Sequence, residues 1–222
     1  MRGHRPADRA ALSALPLEIA PRLLGALLTT EVAGERVTVR ITEVEAYHGK
    51  GTGALTDPAS HARSGPTARN ATMWGEPGRL YVYLSHGIHS CANVVCGPDG
   101  VAGGLLLRAG EVVEGADVVA VRRPAARTSR DFARGPGRLG QALGLRHPRH
   151  DGIDAVAGGS PWPPARADAR ARLDLTRVPV SEISRGPRVG VAGVAGTSVF
   201  PWRFWITGDP TVSVFRPGRF AG

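Results

Sequence analysis

Three β-prone runs, Leu80–Ser85, His89–Val95 and Gly103–Arg108, follow one another with only short turns between them, at Gly87 and at Gly97-Pro98-Asp99-Gly100. Connections this short join antiparallel neighbours, because a parallel crossover takes about a dozen residues or more. The chain is thereby committed to an antiparallel sheet made of consecutive hairpins. A further strand lies upstream in Arg36–Tyr47, where Val37, Val39 and Ile41 alternate with Thr38, Arg40 and Thr42. Helical spacing is found in Leu12–Leu28, where Pro16 and Pro21 divide it into two short helices, the second over Pro21–Leu28. It recurs where Gly135-Pro136-Gly137 opens a helix running to Leu143. Strand character returns at Arg188–Val191, Trp202–Ile206 and Thr211–Phe215, the last two joined by a Gly208-Asp209-Pro210 turn.

Two segments lack such patterning. His48–Arg69, rich in Gly, Ser, Thr and Pro, reads as a long ordered loop with a short helix near Pro58–Arg63, and loops of that length in a compact domain usually carry function. Ala155–Arg172 is an Ala, Gly, Pro and Arg repetition and reads as an exposed, variable loop. Residues 1–11 are expected to form a flexible basic arm, leaving 12–222 as one α+β domain: a mixed fold with an antiparallel sheet and flanking helices.

Composition narrows the function. The 222 residues, 42% hydrophobic, suffice for one sizeable core. No apolar run approaches the roughly 18–20 residues a membrane span requires, and no signal-peptide core follows the N-terminus. Cys91 and Cys96 are too few for a disulfide framework, so a cytoplasmic, reducing compartment is expected. The formal charge of +9 and a pI near 11.0 favour a polyanionic partner, foremost nucleic acid. Eight arginines against one acid, Asp131, make residues 121–150 the most basic stretch. Because only Lys50 among the 28 basic residues is a lysine, part of the arginine excess is equally readable as high-GC coding bias.

Chemistry concentrates in the first half. Glu43 and Glu45 are two apart at a strand end, hence on one face, just before the long loop. A carboxylate there, beside aromatic and histidine residues, is a candidate general base; the plain alternative is a solvated pair with Arg36 or Arg40. All three tyrosines, Tyr47, Tyr81 and Tyr83, precede residue 84; by default they are core residues, but with His61 in a cleft they offer π-faces to a flat cationic ring. His86, His89, Cys91 and Cys96 have an H-x2-H-x-C-x4-C spacing that admits zinc, although ordinary core cysteines fit a strand better. Phosphate-loop and dinucleotide fingerprints are absent, and Ser64-Gly65 and Ser184 lack a nucleophile-elbow setting. With one lysine, Schiff-base chemistry is disfavoured.

Taken together, Glu43-Val-Glu-Ala-Tyr47, Asp57-Pro-Ala-Ser-His-Ala62, Gly65-Pro-Thr-Ala-Arg-Asn70, Pro77-Gly-Arg-Leu-Tyr-Val-Tyr83, Cys91-Ala-Asn-Val-Val95, Leu106-Leu-Arg-Ala109 with Glu114-Gly115, and Gly135-Pro-Gly-Arg-Leu139 with Gln141-Ala-Leu143 resemble the alkyladenine (3-methyladenine) DNA glycosylase family. The resemblance spans residues about 15 to 218 and includes Pro201-Trp-Arg-Phe204 and Val212-Ser-Val214. It implies one mixed α/β domain with a curved antiparallel sheet and a β-hairpin that enters the DNA minor groove. Glu45 matches the family's catalytic acid, which activates a water for attack on the sugar carbon of a flipped-out nucleotide, and Arg108 matches an arginine beside it. Tyr47, His61 and Tyr83 match the aromatic walls around the damaged base, and Asn93 the residue that screens against guanine's exocyclic amino group. Thr67 and Arg69 fall where members of the family meet the DNA backbone.

The expected activity is therefore monofunctional release of alkylated purines, extending to deaminated or etheno purines, from double-stranded DNA by a monomer that uses no cofactor and no metal. One departure stands out: family members from mammals carry a tyrosine at the hairpin tip, and this chain has His86, with Ile88 and His89 beside it as candidate helpers in filling the gap left in the DNA. The alternatives are a metal-dependent nucleobase or nucleoside hydrolase built on His86, His89, Cys91 and Cys96, and a non-catalytic module that binds damaged DNA with Glu45 idle.

Overall fold

A computed structural model describes residues 3–156 and 168–220. Its framework is an antiparallel sheet in which β1 (His4–Pro6), β9 (Ala169–Thr176), β2 (Leu27–Val32), β3 (Glu35–His48), β6 (Gly103–Glu114), β5 (His89–Val95), β4 (Arg79–Ser85) and β8 (Ile153–Asp154) lie side by side. Two-residue β7 (Ala133–Arg134) pairs with β6, and β10 (Ile183–Gly186) pairs with β11 (Arg203–Ile206), which joins β3. The helices are short: α1 (Arg9–Leu12), α2 (Pro16–Leu23), α3 (Ala116–Arg122) and α4 (Pro136–Ala142).

The expected hairpins β4–β5 and β5–β6 form, with β6 running six residues past Arg108. Strand β3 also matches the alternation in its sequence, but its fourteen residues serve two partners on one edge. Strand β2 pairs with Glu35–Arg40, and β11 takes over at Glu43–Glu45. The change of partner coincides with register irregularities against β6 between Ile41 and Val44, of the kind that bend a strand and re-aim its side chains.

Alternation divides the sheet into two faces. Leu80, Val82, Ala92, Val94, Leu105 and Leu107 point into the main core, where Leu23 of α2 and Leu139 and Ala142 of α4 cover them. The intervening residues Tyr81, Tyr83, Asn93, Leu106 and Arg108 point to the other face. Helix α4 lies close on β5 because Gly140 passes the Ser90 carbonyl with no room for a Cβ.

Several elements depart from the sequence expectation. The second helix occupies Pro16–Leu23, with proline at its first position and Pro21 inside it, while Leu27 and Leu28 begin strand β2. Leucines at helical spacing cannot report that pairing with β3 claims the last two. His4–Pro6, within the expected arm, pairs with Asp174–Thr176 of β9. Pro58–Arg63 forms turns rather than a helix, and Arg188–Val191 and Thr211–Phe215 are irregular rather than strands, their backbone recruited by side chains of the site. Helix α3 and strand β10 were not foreseen. Of the Ala155–Arg172 loop, residues 157–167 lie outside the described residues, and Ala169–Arg172 belong to β9.

Candidate active site

The site is built on one row of residues that crosses five strands. Arg203 on β11 faces Glu45 on β3, Glu45 faces Leu106 on β6, Leu106 faces Asn93 on β5, and Asn93 faces Tyr81 on β4. Residues two positions along, Tyr47, Arg108 and Tyr83, share this face.

Both glutamates are fully buried, which demands compensation. Glu43 accepts four hydrogen bonds: Oε1 from Arg108 Nε at 3.0 Å, Arg203 Nε at 2.7 Å and Ser213 Oγ at 2.9 Å, and Oε2 from Ser213 N at 2.7 Å. Glu45 holds fewer partners: Val189 N donates to Oε1 at 2.7 Å, Tyr47 OH donates to Oε2 at 2.8 Å, and Arg108 Nη1 lies 3.3 Å from Oε1. A carboxylate has about four lone-pair sites, so Oε2 retains capacity for one more donor such as a water. Neither glutamate pairs with Arg36 or Arg40, which bind Glu31 and the pair Glu111 and Asp209. Burial, followed by the neighbouring Glu45 carboxylate, pushes the Tyr47 phenol well above its ordinary range, so it remains a donor.

Beside this network lies a cavity of about 250 Å³ lined by Tyr47, His61, Met73, Tyr81, Tyr83 and Asn93, with Ala59, Val191 and Ala192. Tyr81 and Tyr83 stack at 5.5 Å, and His61 meets Tyr83 edge-on at 4.6 Å and 87°. His61 Nδ1 lies 3.1 Å from Tyr81 OH. Burial, and then the charges of Arg69 and Arg63, lower the His61 pKa, keeping the ring neutral at pH 7. Burial pushes the Tyr81 phenol up to about 12 and the Cys91 thiol to about 11, so both stay protonated. Asn93 Nδ2 donates to Tyr81 O at 3.1 Å, which fixes the amide against the wall. The result is a flat-sided, aromatic recess with the buried Glu45 carboxylate held by the hydroxyl of one wall, Tyr47.

The methylpurine-DNA glycosylase family matches this sequence over residues 10–210. The chain belongs to that family. A Nocardia farcinica protein is 50% identical over 202 residues, which cover 90% of this chain and 87% of the relative. A Leifsonia xyli protein is 49% identical over 212 residues, covering 94% and 92%, and a Mycobacterium tuberculosis protein is 45% identical over 201 residues, covering 90% of each. All three bear the name "Putative 3-methyladenine DNA glycosylase". Membership makes the chain a DNA glycosylase, a hydrolase of N-glycosidic bonds that acts in DNA repair.

In this family member Tyr47, His61, Tyr83 and Asn93 line one recess, and Glu45, with Arg108 beside it, is joined to that recess through the Tyr47 hydroxyl. The other candidates stand outside it. Thr67 and Arg69 are exposed on a loop shaped by buried Asn70, which accepts from Thr67 N at 2.7 Å and donates to His61 O and Gly65 O. His86 and Gly87, both at positive φ, are the central pair of a two-residue hairpin turn closed by Ile88 N donating to Ser85 O at 3.0 Å. His86, Ile88 and His89 are all exposed there, Ile88 to 73%.

The zinc alternative fails on geometry. Among the described residues no group of three or more His, Cys, Asp or Glu side chains could hold a metal ion. Cys96 packs into the main core, while His86 and His89 are at the exposed turn.

Sequence reasoning assigned no role to Arg188, Asp57, Arg203, Ser213 or Val189. Arg188 and Asp57 are buried and form a two-pronged pair at 2.8 Å, and Arg188 also donates to Ala46 O. Asp57 and Arg203 stand inside the quoted family blocks, so their signal was a charged residue in a motif without an assigned task. Val189 acts through its backbone and leaves no trace in the sequence. The basic stretch is partly spent internally: Arg122 binds Glu35, Arg123 binds Gln141, and Arg149 binds Asp168, while Arg127, Arg130 and Arg138 are exposed. Among the described residues no helix is long and apolar enough to cross a membrane.

Proposed function

We propose that this glycosylase hydrolyses the N-glycosidic bond of 3-methyladenine-type purines in double-stranded DNA, with Glu45 accepting the proton of the attacking water. The observation that carries the reading is the contrast between two buried glutamates two residues apart. Glu43 accepts its four hydrogen bonds from Arg108, Arg203 and Ser213, none of which lines the aromatic recess, whereas Glu45 accepts from the hydroxyl of Tyr47, which does.

Alkylation makes the purine cationic and a good leaving group, so the protein need only extrude it, hold it and deliver the water. Tyr47, His61 and Tyr83 supply π-faces that attract a cationic ring. Neutral His61 adds no repelling charge, and Asn93, held by Tyr81 O, screens the base edge. Arg108 positions Glu45 and offsets its charge. The tight β4–β5 turn carries His86 and Ile88 into the minor groove as the wedge, and Thr67, Arg69 and exposed arginines of the 121–150 stretch meet phosphates. Release is monofunctional, because the only lysine side chain, Lys50, does not line the recess. The protein acts as a monomer, and deaminated and etheno purines fall within its range.

The test measures free base released from duplexes carrying one 3-methyladenine-type, hypoxanthine or 1,N6-ethenoadenine lesion, with chelator present, by wild type and Glu45→Gln. Release by wild type that collapses in the variant is expected. Tight lesion binding with no release by wild type would instead favour a damage-sensing module.

A further inference from the structure

Three carboxylates and three guanidiniums are buried in the network beyond the Tyr47 wall of the recess: Glu43, Glu45 and Asp57 against Arg108, Arg188 and Arg203. Glu43 is shared by Arg108 and Arg203, Glu45 pairs with Arg108, and Asp57 and Arg188 pair with each other. Their placement is unusual. Arg188 has no exposed surface and lies outside the cavity lining, yet its guanidinium carbon is 4.5 Å from the centroid of the Tyr47 ring, with Trp202 at 5.2 Å. Tyr47 itself lines the cavity.

Packing does not require an ion pair here, since a buried pair is typically no more stabilising than apolar residues of the same volume. The position has an electrical consequence instead. With the guanidinium over one face of Tyr47, a base stacked on the other lies on the order of 8 Å from the positive charge. At that range an uncompensated unit charge repels a cationic ring by about ten- to thirtyfold in affinity, at an effective dielectric constant of about 20. A neutral ring is spared. Asp57, at 2.8 Å from both Nη1 and Nη2 of Arg188, cancels most of this repulsion.

We propose that Asp57 and Arg188 are specificity-determining residues: their charge balance behind Tyr47 sets how strongly the recess prefers cationic alkylated purines over neutral lesions. The proposal rests on the base-binding role given above to the Tyr47 recess. Neither residue touches the base, so both act through the Tyr47 wall.

The experiment compares N7-methylated guanine, which is cationic, with hypoxanthine and ethenoadenine, which are neutral, in one duplex context. Single-turnover release is measured, together with lesion-duplex affinity in a Glu45→Gln background so that a lesion held but not cut is still read. Asp57→Asn should lower the cationic-to-neutral ratio about tenfold. Arg188→Gln should raise it several-fold, and the double variant, neutral again, should return it to within about twofold of wild type. The opposite signs separate the proposal from a structural role, which would depress all lesions alike. If Asp57→Asn fails to fold, the Arg188→Gln and double-variant ratios decide. A ratio unmoved in the folded variants, or not restored in the double variant, overturns the proposal. Failure of wild type to bind or release any of the lesions would overturn the base-binding reading instead.

Discussion

Replacing Glu43 by glutamine keeps the shape of the side chain and removes its charge. In the native fold this group, fully buried, accepts from two guanidiniums and from both the backbone and hydroxyl of Ser213. A glutamine offers one oxygen in place of two and turns an NH2 toward donors. Arg203 then loses its carboxylate partner and Arg108 keeps only Glu45, and breaking a buried pair from one side costs about 3–5 kcal/mol. The individual charge-assisted bonds, about 1.5–3 kcal/mol each, are consistent with that figure once partial relaxation is allowed. For a chain of this size the loss corresponds to a fall in Tm of roughly 10 °C. Urea and thermal denaturation measure it, with Glu111→Gln as the control: that partner of Arg40 is half-exposed, and its loss should cost no more than about 1 kcal/mol. Equal stabilities for the two variants would refute the claim that Glu43 organises the buried network.

Other outcomes follow from the same geometry. Tyr47→Phe removes the donor to Glu45 Oε2 but keeps the ring, so base release should slow about tenfold or more while lesion affinity changes little; single-turnover rates and binding titrations separate the two. The His61 ring should titrate below 6.5, and Arg69→Gln, by removing a repelling charge, should move its NMR midpoint up toward 6.5; no movement would remove Arg69 from the causes. Because the folded-state pKa is lowered, His61 favours the native state when neutral, and that contribution is lost as pH falls below the unfolded value near 6.5. His86→Ala and Ile88→Ala should each weaken binding to an abasic-site duplex several-fold, with binding unchanged in both refuting the wedge. Gly140→Ala would drive its Cβ into the Ser90 carbonyl and should cost about 1–3 kcal/mol of stability, read by denaturation.

The sheet was legible because its signals are local. Alternation in Arg36–Tyr47 and the turns between Leu80 and Arg108 define β3, β4 and β5 to within a residue at each end, and the start of β6. Where a segment's structure depends on a distant partner, the reading failed. Leu27 and Leu28 continue a leucine pattern that reads as helix, yet ladder pairing with Val39 and Arg40 makes them strand. Thr211–Phe215 alternates like a strand but is irregular, because the Ser213 backbone is taken by Glu43 and the Val212 carbonyl by Arg134.

For the site, the sequence by itself determined the inventory: two glutamates in one motif, a cluster of tyrosines with His61, Asn93 on a strand, a basic surface and a family pattern carried by ordered blocks. Which partners each glutamate receives was decided only by the tertiary structure. Both have the same local context and the same face, and they differ in the partners that arrive from some 60 to 170 residues away in the chain, Arg108, Val189, Arg203 and Ser213. The cross-strand register likewise aligned Arg203, Glu45, Leu106, Asn93 and Tyr81, and the pairing of Asp57 with Arg188 behind Tyr47 required the long loop to fold back 131 positions from its partner. Periodicity encodes which face of an element a side chain takes, since that is fixed by the backbone repeat. It does not encode which distant charge will be buried against that face, because that depends on how the whole chain compensates the desolvation of its carboxylates.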